Sequence, residues 1–190
     1  MLYTMVSELI PGHYIEIGSG TSTKVVYKAK VENNLSTKIT AIDPSPRRDI
    51  EKIVDVFVKT NIQNVSLEDF KNLEENDIVF FDGTHLLFPG SDVLWFFLEI
   101  LPILKKGVVV HIHDIYLPYD YPEVMIRRYY NEQYILASCL LSNPQKYEVI
   151  CPNYFIYTEK ALHNILQIYW QSDKLIHVEK HGGSFWFKIR

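Results

Sequence analysis

A strand that runs into a loop with two glycines is the feature that most restricts the fold of this chain. The segment 14–17 is apolar apart from Glu16, and it leads into Gly18-Ser19-Gly20 just before a helix begins. A second apolar strand then ends at Asp43. Glycine has no Cβ and therefore lets a ligand touch the backbone. The pattern predicts a pocket of the nucleotide-binding type at the carboxyl edge of a parallel sheet.

Composition is that of an ordinary globular protein with one domain over residues 1–190. Hydrophobic residues make up 47% of the chain and charged residues 22%. The net charge of -4 and the lack of a long Lys/Arg run disfavour nucleic-acid binding. The longest apolar stretch, around 93–104, is interrupted by Glu99 and Pro102 and is too short to cross a bilayer. We therefore expect neither nucleic acid nor a membrane as a partner.

The cysteines and the N-terminal residues indicate a cytoplasmic protein. Cys139 and Cys151 do not form a close pair, so we expect small buried thiols in a reducing compartment rather than a zinc site. Residues 1–10 lack a basic head and include Glu8, which is unlike a signal peptide.

Strands and helices alternate along the chain, which predicts an α/β fold. The predicted strands are 13–17, 38–42, 62–65, 77–81, 108–112, 147–150 and 184–189. Helices are predicted over 22–31, over a short stretch after Ser66, and over 158–170 with Thr158 as N-cap, and helical segments are predicted over 123–141. Another helix begins at Ser91, with Leu94, Phe97, Leu98 and Leu101 facing the core. No element is predicted ahead of the first strand.

Two ligand classes use a pocket with this layout, and two residues distinguish between them. A dinucleotide pocket usually has a third glycine where this chain has Thr23. Glu16 would also place negative charge beside a pyrophosphate, whereas it suits a ligand with positive charge. S-adenosylmethionine has a sulfonium and an ammonium group and no phosphate. The residues thus favour S-adenosylmethionine and leave a nicotinamide dehydrogenase as a weaker alternative.

Four motifs in this order resemble those of the class I S-adenosylmethionine-dependent methyltransferases. They are 16–22, Asp43, 78–85 and 107–114, each at the end of a predicted strand. Asp82-x-x-His85 and the terminal His113-Asp114 are most similar to the bacterial small-molecule O-methyltransferases that include macrolide-sugar enzymes. The resemblance implies a three-layer Rossmann-like fold, with a mostly parallel seven-stranded sheet and an antiparallel last strand. It also implies cofactor contacts from Glu16, Gly18, Ser19, Gly20, Ser22, Thr23, Asp43 and Asp82, with Asp43 on the ribose hydroxyls.

The same resemblance implies catalytic and metal-binding roles for residues at the ends of the fourth and fifth strands. Methyl transfer to a hydroxyl requires in-line alignment and removal of a proton. In the resembled enzymes, the position of Asp82 is a metal ligand and that of His85 is the base, so both are candidate catalytic residues. Their fifth strand ends in two acids, whereas here the first of the two positions is His113. Asp82, His113 and Asp114 remain candidate ligands for a divalent metal such as Mg²⁺ or Mn²⁺, although this mixture favours softer ions.

Several alternatives stay open at this point. His111 and His113 alternate along the fifth strand, and either is compatible with a hydrogen-bonded core histidine. The loop 116–122 is a candidate wall of a substrate pocket. The expected activity is O-methylation of a small-molecule or glycan hydroxyl, and the sequence leaves a homo-oligomer open. The competing functions are a catalytically inactive S-adenosylmethionine-binding module and, with less support, a metal-dependent hydrolase.

Overall fold

A seven-stranded sheet forms the centre of the protein in a computed structural model, which describes residues 1–190 except the side chains of Leu166 and Tyr169. The strand order is β3-β2-β1-β4-β5-β7-β6. β7 is antiparallel to both of its neighbours, and the other pairs are parallel. This confirms the predicted three-layer α/β fold with its antiparallel last strand. The strands are β1 His13–Ile17, β2 Lys38–Ile42, β3 Val56–Val58, β4 Ile78–Phe81, β5 Val109–Ile112, β6 Tyr147–Pro152 and β7 Phe185–Ile189.

Helices cover both faces of the sheet. They are α1 Leu2–Leu9, α2 Thr21–Glu32, α3 Glu68–Lys71, α4 Asp92–Trp95, α5 Glu123–Ile126, α6 Glu132–Ser142, α7 Asn153–Thr158, α8 Lys160–His163 and α9 Gln167–Trp170. A π-helical segment, Phe96–Ile100, follows α4, and 3-10 turns lie at Ile62–Asn64, Leu101–Ile103, Asn164–Leu166 and Asp173–Leu175.

Alternation along the strands explains why both faces of the sheet are buried. On β4, Val79 and Phe81 belong to one core cluster together with Phe96 of the π-helical segment. Ile78 and Phe80 belong to the opposite cluster, which includes Val26 of α2. Successive side chains of a strand point to opposite faces, so a strand covered on both sides needs an unbroken apolar run. The run 78–81 meets that requirement.

The strand order reverses between β1 and β4, and this reversal determines where a ligand can bind. From β1 the chain proceeds to β2 on one side, whereas β4 and β5 lie on the other side. The loops that leave β1 and β4 therefore diverge and open a crevice at the carboxyl edge of the sheet. The glycine loop and Asp82 both follow strands that border this crevice.

The third strand was predicted in the wrong place. It spans Val56–Val58 and pairs with Thr40–Ile42 of β2. The predicted segment 62–65 instead contains a 3-10 turn, in which the amide of Asn64 donates to the carbonyl of Asn61 at 3.0 Å. A three-residue strand with half-buried side chains is too short to show a pattern of alternation.

The prediction for the helix that follows Ser91 is only partly correct. The hydroxyl of Ser91 accepts from the amide of Leu94 at 3.1 Å, as an N-cap does, and both Phe97 and Leu101 are buried. Leu98, which was predicted to face the core, is 57% exposed. The buried residues Val93, Phe96, Phe97, Ile100 and Leu101 recur at ordinary helical spacing, so the buried face lies one residue earlier than predicted and Leu98 faces solvent.

The helical segments predicted over 123–141 are present as α5 and α6, and Tyr129 between them has a left-handed backbone with φ of 62°. Two other expectations about helices need correction. Thr158 ends α7 rather than beginning a helix, and its hydroxyl donates to the carbonyls of Tyr154 and Phe155. α1, which was not predicted, buries Val6 against α2.

The adjacent residues Phe97 and Leu98 test the register of the π-helical segment. We expect Phe97→Ala to lower the free energy of unfolding by about 3–5 kcal/mol, because it leaves a cavity in the core. Leu98→Ala, the matched control, should change it by less than about 0.5 kcal/mol. Urea denaturation of both variants measures the two values. Equal losses would contradict the register described above.

Candidate active site

An open cleft of about 1360 Å³ occupies the crevice between the β1 and β4 loops. Six of the eight residues predicted to bind a cofactor line it, and so do the predicted catalytic His85 and the predicted metal ligand His113. The six are Gly18, Ser19, Gly20, Ser22, Asp43 and Asp82. The fold thus brings the predicted residues to one place, while their contact with a cofactor stays a prediction.

Gly18 allows the two sides of the cleft to approach each other. Its φ is +82°, and a Cβ at this position would lie 2.0 Å from the carbonyl oxygen of Asp82. The Gly18 amide also donates to the carbonyl of Ile42 at 3.0 Å. A residue with a side chain would be strained in its backbone and would collide with Asp82. The requirement for glycine here therefore comes from the packing of β1 against β4, and the access that it gives to a ligand stays a prediction.

Asp43 is held at the end of β2 by its own protein contacts. One carboxylate oxygen accepts from the amide of Ser19 at 2.9 Å and from its hydroxyl at 2.7 Å. The other oxygen accepts from the amide of Ser45 at 2.8 Å. The carboxylate is thus preoriented, and a carboxylate with three donors retains capacity for one more hydrogen bond.

Glu16 and Thr23 lie behind the glycine loop, and both are fully buried. Thr23 accepts from the amide of Gly20 at 3.0 Å and so fixes the start of α2. Glu16 accepts from the hydroxyl of Ser22 through Oε1, and among the described residues its Oε2 has no hydrogen-bond partner. Burial raises the pKa of Glu16 to about 7, against the lowering effect of its hydrogen bonds to Ser22 and Thr23. Direct cofactor contacts of Glu16 and Thr23 stay predictions.

His85 lies at the centre of a cluster of three acids at the other end of the cleft. Its Nε2 is 3.4 Å from Oδ1 of Asp82 and 3.7 Å from Oδ2 of Asp114, and its Nδ1 is 3.4 Å from Oε2 of Glu132. Burial lowers the pKa of His85, but the carboxylates of Asp82, Glu132 and Asp114 around the ring outweigh it and raise the pKa to about 11. The imidazole therefore carries a proton at neutral pH in this arrangement.

Glu132 and Tyr130 are site residues that sequence reasoning missed. Glu132 begins α6 and is fully buried. An acid in the first turn of a helix is common on exposed surfaces, so its sequence position gave no sign of this contact. The Tyr130 ring lies 4.5 Å from the His85 ring, centroid to centroid, and also lines the cleft.

The backbone of the cluster is locally strained. His85 has φ of 62° and Asp114 has φ of 55°, and Tyr129 shares this left-handed conformation. Residues with a Cβ rarely adopt it, and each instance costs on the order of 1 kcal/mol. The carbonyl of His85 accepts from the amide of Asn131 at 3.1 Å, which helps to hold the strained residue.

The predicted substrate wall 116–122 packs elsewhere. Tyr116 and Tyr121 are buried, with ring centroids 6.0 Å apart, and Tyr116 contacts Tyr154 of α7 at 4.8 Å. Phe80, Phe88 and Tyr130 line the cleft, and none of them belongs to this loop. The interpretation of this tyrosine loop as a pocket wall is therefore not supported.

His111 is a core histidine. It is fully buried, and its ring stacks on Phe80 at 4.0 Å and contacts Trp186 at 4.6 Å. Burial lowers its pKa well below the usual value, so the ring is neutral. Of the two alternating histidines on this strand, only His113 lines the cleft.

A comparison with known protein families shows which class of protein this cleft belongs to. Residues 15–115, just over half of the chain, match the family model described as a methyltransferase domain. The chain belongs to this methyltransferase family. The matched span begins in β1 and ends just after Asp114, so it contains the glycine loop, Asp43 and the acid cluster around His85. No curated protein sequence matches the chain.

Solved structures share the fold of this methyltransferase at low sequence identity. The Podospora anserina methyltransferase PaMTH1, solved with SAH, is 17% identical with a TM-score of 0.56, and the match covers 100% of this chain and 76% of that one. The plantazolicin methyltransferase BpumL, also solved with SAH, is 16% identical with a TM-score of 0.55, and the match covers 100% and 82%. These likenesses confirm the fold.

The predicted metal ligands of the methyltransferase lie together, but their arrangement does not support a metal site. His113 Nδ1 lies 3.2 Å from Oδ1 of Asp114 and 3.7 Å from Oδ1 of Asp82. The same Asp82 oxygen also faces His85. The imidazoles thus lie against the oxygens that a cation would need, and no group of three His, Cys, Asp or Glu in the described part of the chain is placed to hold a metal ion.

The helices described for this methyltransferase include none that is both long and apolar enough to cross a membrane.

Gly18 and Gly90 make a matched pair that separates backbone strain from steric contact. Both have φ near +80°, but a Cβ on Gly90 would meet nothing within 4 Å. We expect Gly90→Ala to cost about 1 kcal/mol of unfolding free energy, and Gly18→Ala at least about 3 kcal/mol. Urea denaturation measures both. Equal losses would show that the approach of Asp82 to Gly18 is not a constraint.

Glu16 should make stability depend on pH. Its folded pKa of about 7 lies above its usual value of 4.5, so the stability associated with the neutral carboxyl is fully present below about pH 4.5 and is lost as the pH rises through 7. Glu16→Gln should therefore gain stability relative to the wild type between pH 5 and pH 8, by up to about 3 kcal/mol. Urea denaturation at both pH values measures the gain.

The matched control for Glu16 is Glu51→Gln, which alters an exposed acid. Its stability relative to the wild type should change by less than about 0.5 kcal/mol between the two pH values. A parallel response of the two variants would rule out Glu16 as the source of the pH dependence.

Proposed function

We propose that this methyltransferase binds S-adenosylmethionine in the cleft and transfers its methyl group to a hydroxyl of a small molecule or glycan. The observation that carries the proposal is the convergence of the Gly18 loop, Asp43 and Asp82 on one cleft within the span matched by the methyltransferase family. SAH is what remains of S-adenosylmethionine after methyl transfer. Its presence in the PaMTH1 and BpumL structures supports the cofactor.

The charges around the cleft fit this cofactor. Asp43 lies at the end of β2, with hydrogen-bonding capacity left for ribose hydroxyls. Glu16 lies buried beneath the loop with one oxygen unpartnered among the described residues. A buried acid favours a cationic ligand nearby and disfavours a phosphate. The sulfonium and ammonium groups meet that preference, whereas the pyrophosphate of a dinucleotide does not.

The acid cluster suits removal of a hydroxyl proton. When bound, the cofactor supplies a methyl carbon on a positively charged sulfur; the substrate oxygen bonds to that carbon as the carbon–sulfur bond breaks. The Asp82 side chain is 37% exposed and faces the cleft, and Nε2 of His85 lies 3.4 Å from it. The Asp82 carboxylate receives the proton of the attacking hydroxyl, while the imidazole of His85, which already carries its proton, holds Asp82 in place.

The remaining walls suggest a polar substrate with a flat face. Arg47, Arg48 and Gln63 line one side of the cleft, and Tyr130 and Phe88 also line it. Sugar rings combine hydroxyls that need polar partners with an apolar face that packs on aromatic rings. This combination supports a small molecule or glycan as the acceptor.

Calorimetric titration with S-adenosylmethionine, and separately with NAD⁺, tests the cofactor. We expect wild-type affinity on the order of micromolar for S-adenosylmethionine, and a loss of about tenfold or more in Asp43→Ala, since a hydrogen bond to a charged group is removed. The control is Asp49→Ala, an exposed acid outside the cleft lining, which should bind like the wild type. Preference for NAD⁺, or no binding, would contradict the proposal.

Formation of SAH in the presence of a panel of sugars and small hydroxylated compounds tests transfer. His85→Ala should lower the rate by about 100-fold or more while its affinity for S-adenosylmethionine stays within threefold of the wild type. Assays with EDTA and with Mn²⁺ test whether a metal assists. Binding without transfer to any acceptor would favour the inactive binding module.

A further inference from the structure

Glu132 is a buried acid to which the proposed reaction assigns no role. Its side chain is completely buried, and its Oε2 lies 3.4 Å from Nδ1 of His85. Removing a carboxyl group from water costs several kcal/mol unless it gains a partner. Burying the Glu132 carboxyl therefore costs free energy of folding, and packing alone does not explain why an acid is kept at this position.

The first turn of α6 holds Glu132 in a fixed place. On one side, Asn131 donates its amide to the carbonyl of His85 at 3.1 Å, and its side-chain oxygen accepts from the amide of Leu87 at 2.6 Å. On the other side, Gln133 accepts from the amide of Tyr116 at 3.1 Å. Glu132 thus belongs to a turn that is tied to the His85 loop and to the segment after β5.

Both ring nitrogens of His85 face acids, but the acids differ in exposure. Nδ1 faces the buried Glu132, and Nε2 faces Asp82 and Asp114, whose side chains are 37% and 21% exposed. A ring flipped by half a turn would place a carbon atom against Glu132 and leave the buried carboxyl unpaired. The Tyr130 ring, 4.5 Å from the imidazole, packs on the same side chain.

We propose that Glu132 is a positioning residue that binds Nδ1 of His85 and thereby directs Nε2 toward Asp82 and the cleft. The importance of this orientation for methyl transfer rests on the proposed function; the contact itself does not. An acid behind a histidine fixes which ring nitrogen faces the reaction, and the ring then needs no reorganisation when the substrate binds.

Nitrogen NMR of the full chain labelled at its histidine side chains tests the contact. His85→Asn assigns the His85 signals. We expect a protonated Nδ1 paired with the Glu132 carboxylate in the wild type, loss of that signal in Glu132→Leu, and a shifted signal in Glu132→Gln, which keeps an acceptor but removes the charge. His13 and His181, outside the cluster, should keep their signals in all variants.

Glu123→Gln is the matched control, because it removes an exposed acid from the first turn of the neighbouring α5. It should leave the His85 signals unchanged. If Glu132→Leu does not fold, the nearly isosteric Glu132→Gln decides the question. Wild-type His85 signals in Glu132→Gln, or in a folded Glu132→Leu, would overturn the proposal.

Cofactor binding and transfer separate this inference from the proposed function. Glu132→Gln should bind S-adenosylmethionine within threefold of the wild type and lose about tenfold or more in turnover, with little change in the KM for the cofactor. Failure of the wild-type chain to bind S-adenosylmethionine would reject the proposed function but leave the NMR test of Glu132 intact. Full turnover in Glu132→Gln would overturn the positioning role.

Discussion

The close approach of Gly18 to the carbonyl of Asp82 is the constraint on which the rest of the site depends. β1 and β4 are neighbours at the point where the strand order reverses, and their loops must separate immediately after a tight contact. Gly18 supplies that contact with a positive φ. The backbone of Asp82 is therefore fixed, which places its carboxylate at the cleft and His85 three residues further along, beneath it.

Charge is distributed unequally between the two ends of the cleft. At the β2 end, the Asp43 carboxylate accepts hydrogen bonds from Ser19 and Ser45 and retains capacity for one more donor. At the β4 and β5 end, Asp82, Asp114 and Glu132 surround a protonated His85. A cationic cofactor bound between these ends would meet carboxylates on either side, and the imidazolium would keep the acids from repelling one another.

Local sequence patterns were sufficient to predict six of the seven strands and the cleft residues that lie close to the end of a strand. Gly18, Asp43 and Asp82 follow apolar runs directly, so their positions were predictable from short-range order. Glu132 was not predictable, since its role arises from the contact of α6 with a loop almost fifty residues earlier. The exposure of Leu98 was also missed, because residues 93–98 are all apolar and their spacing alone does not show which helix face packs on the core.

The left-handed backbone at His85 and Asp114 has a consequence for how this sequence would change under selection. Glycine at either position would relieve the strain and raise the stability of the fold. A lineage selected for folding alone would drift toward glycine or asparagine at both positions and lose the cluster of acids around the imidazole. Engineering for stability should therefore keep both residues, because a substitution that relieves the backbone strain also removes a side chain from the cluster in the cleft.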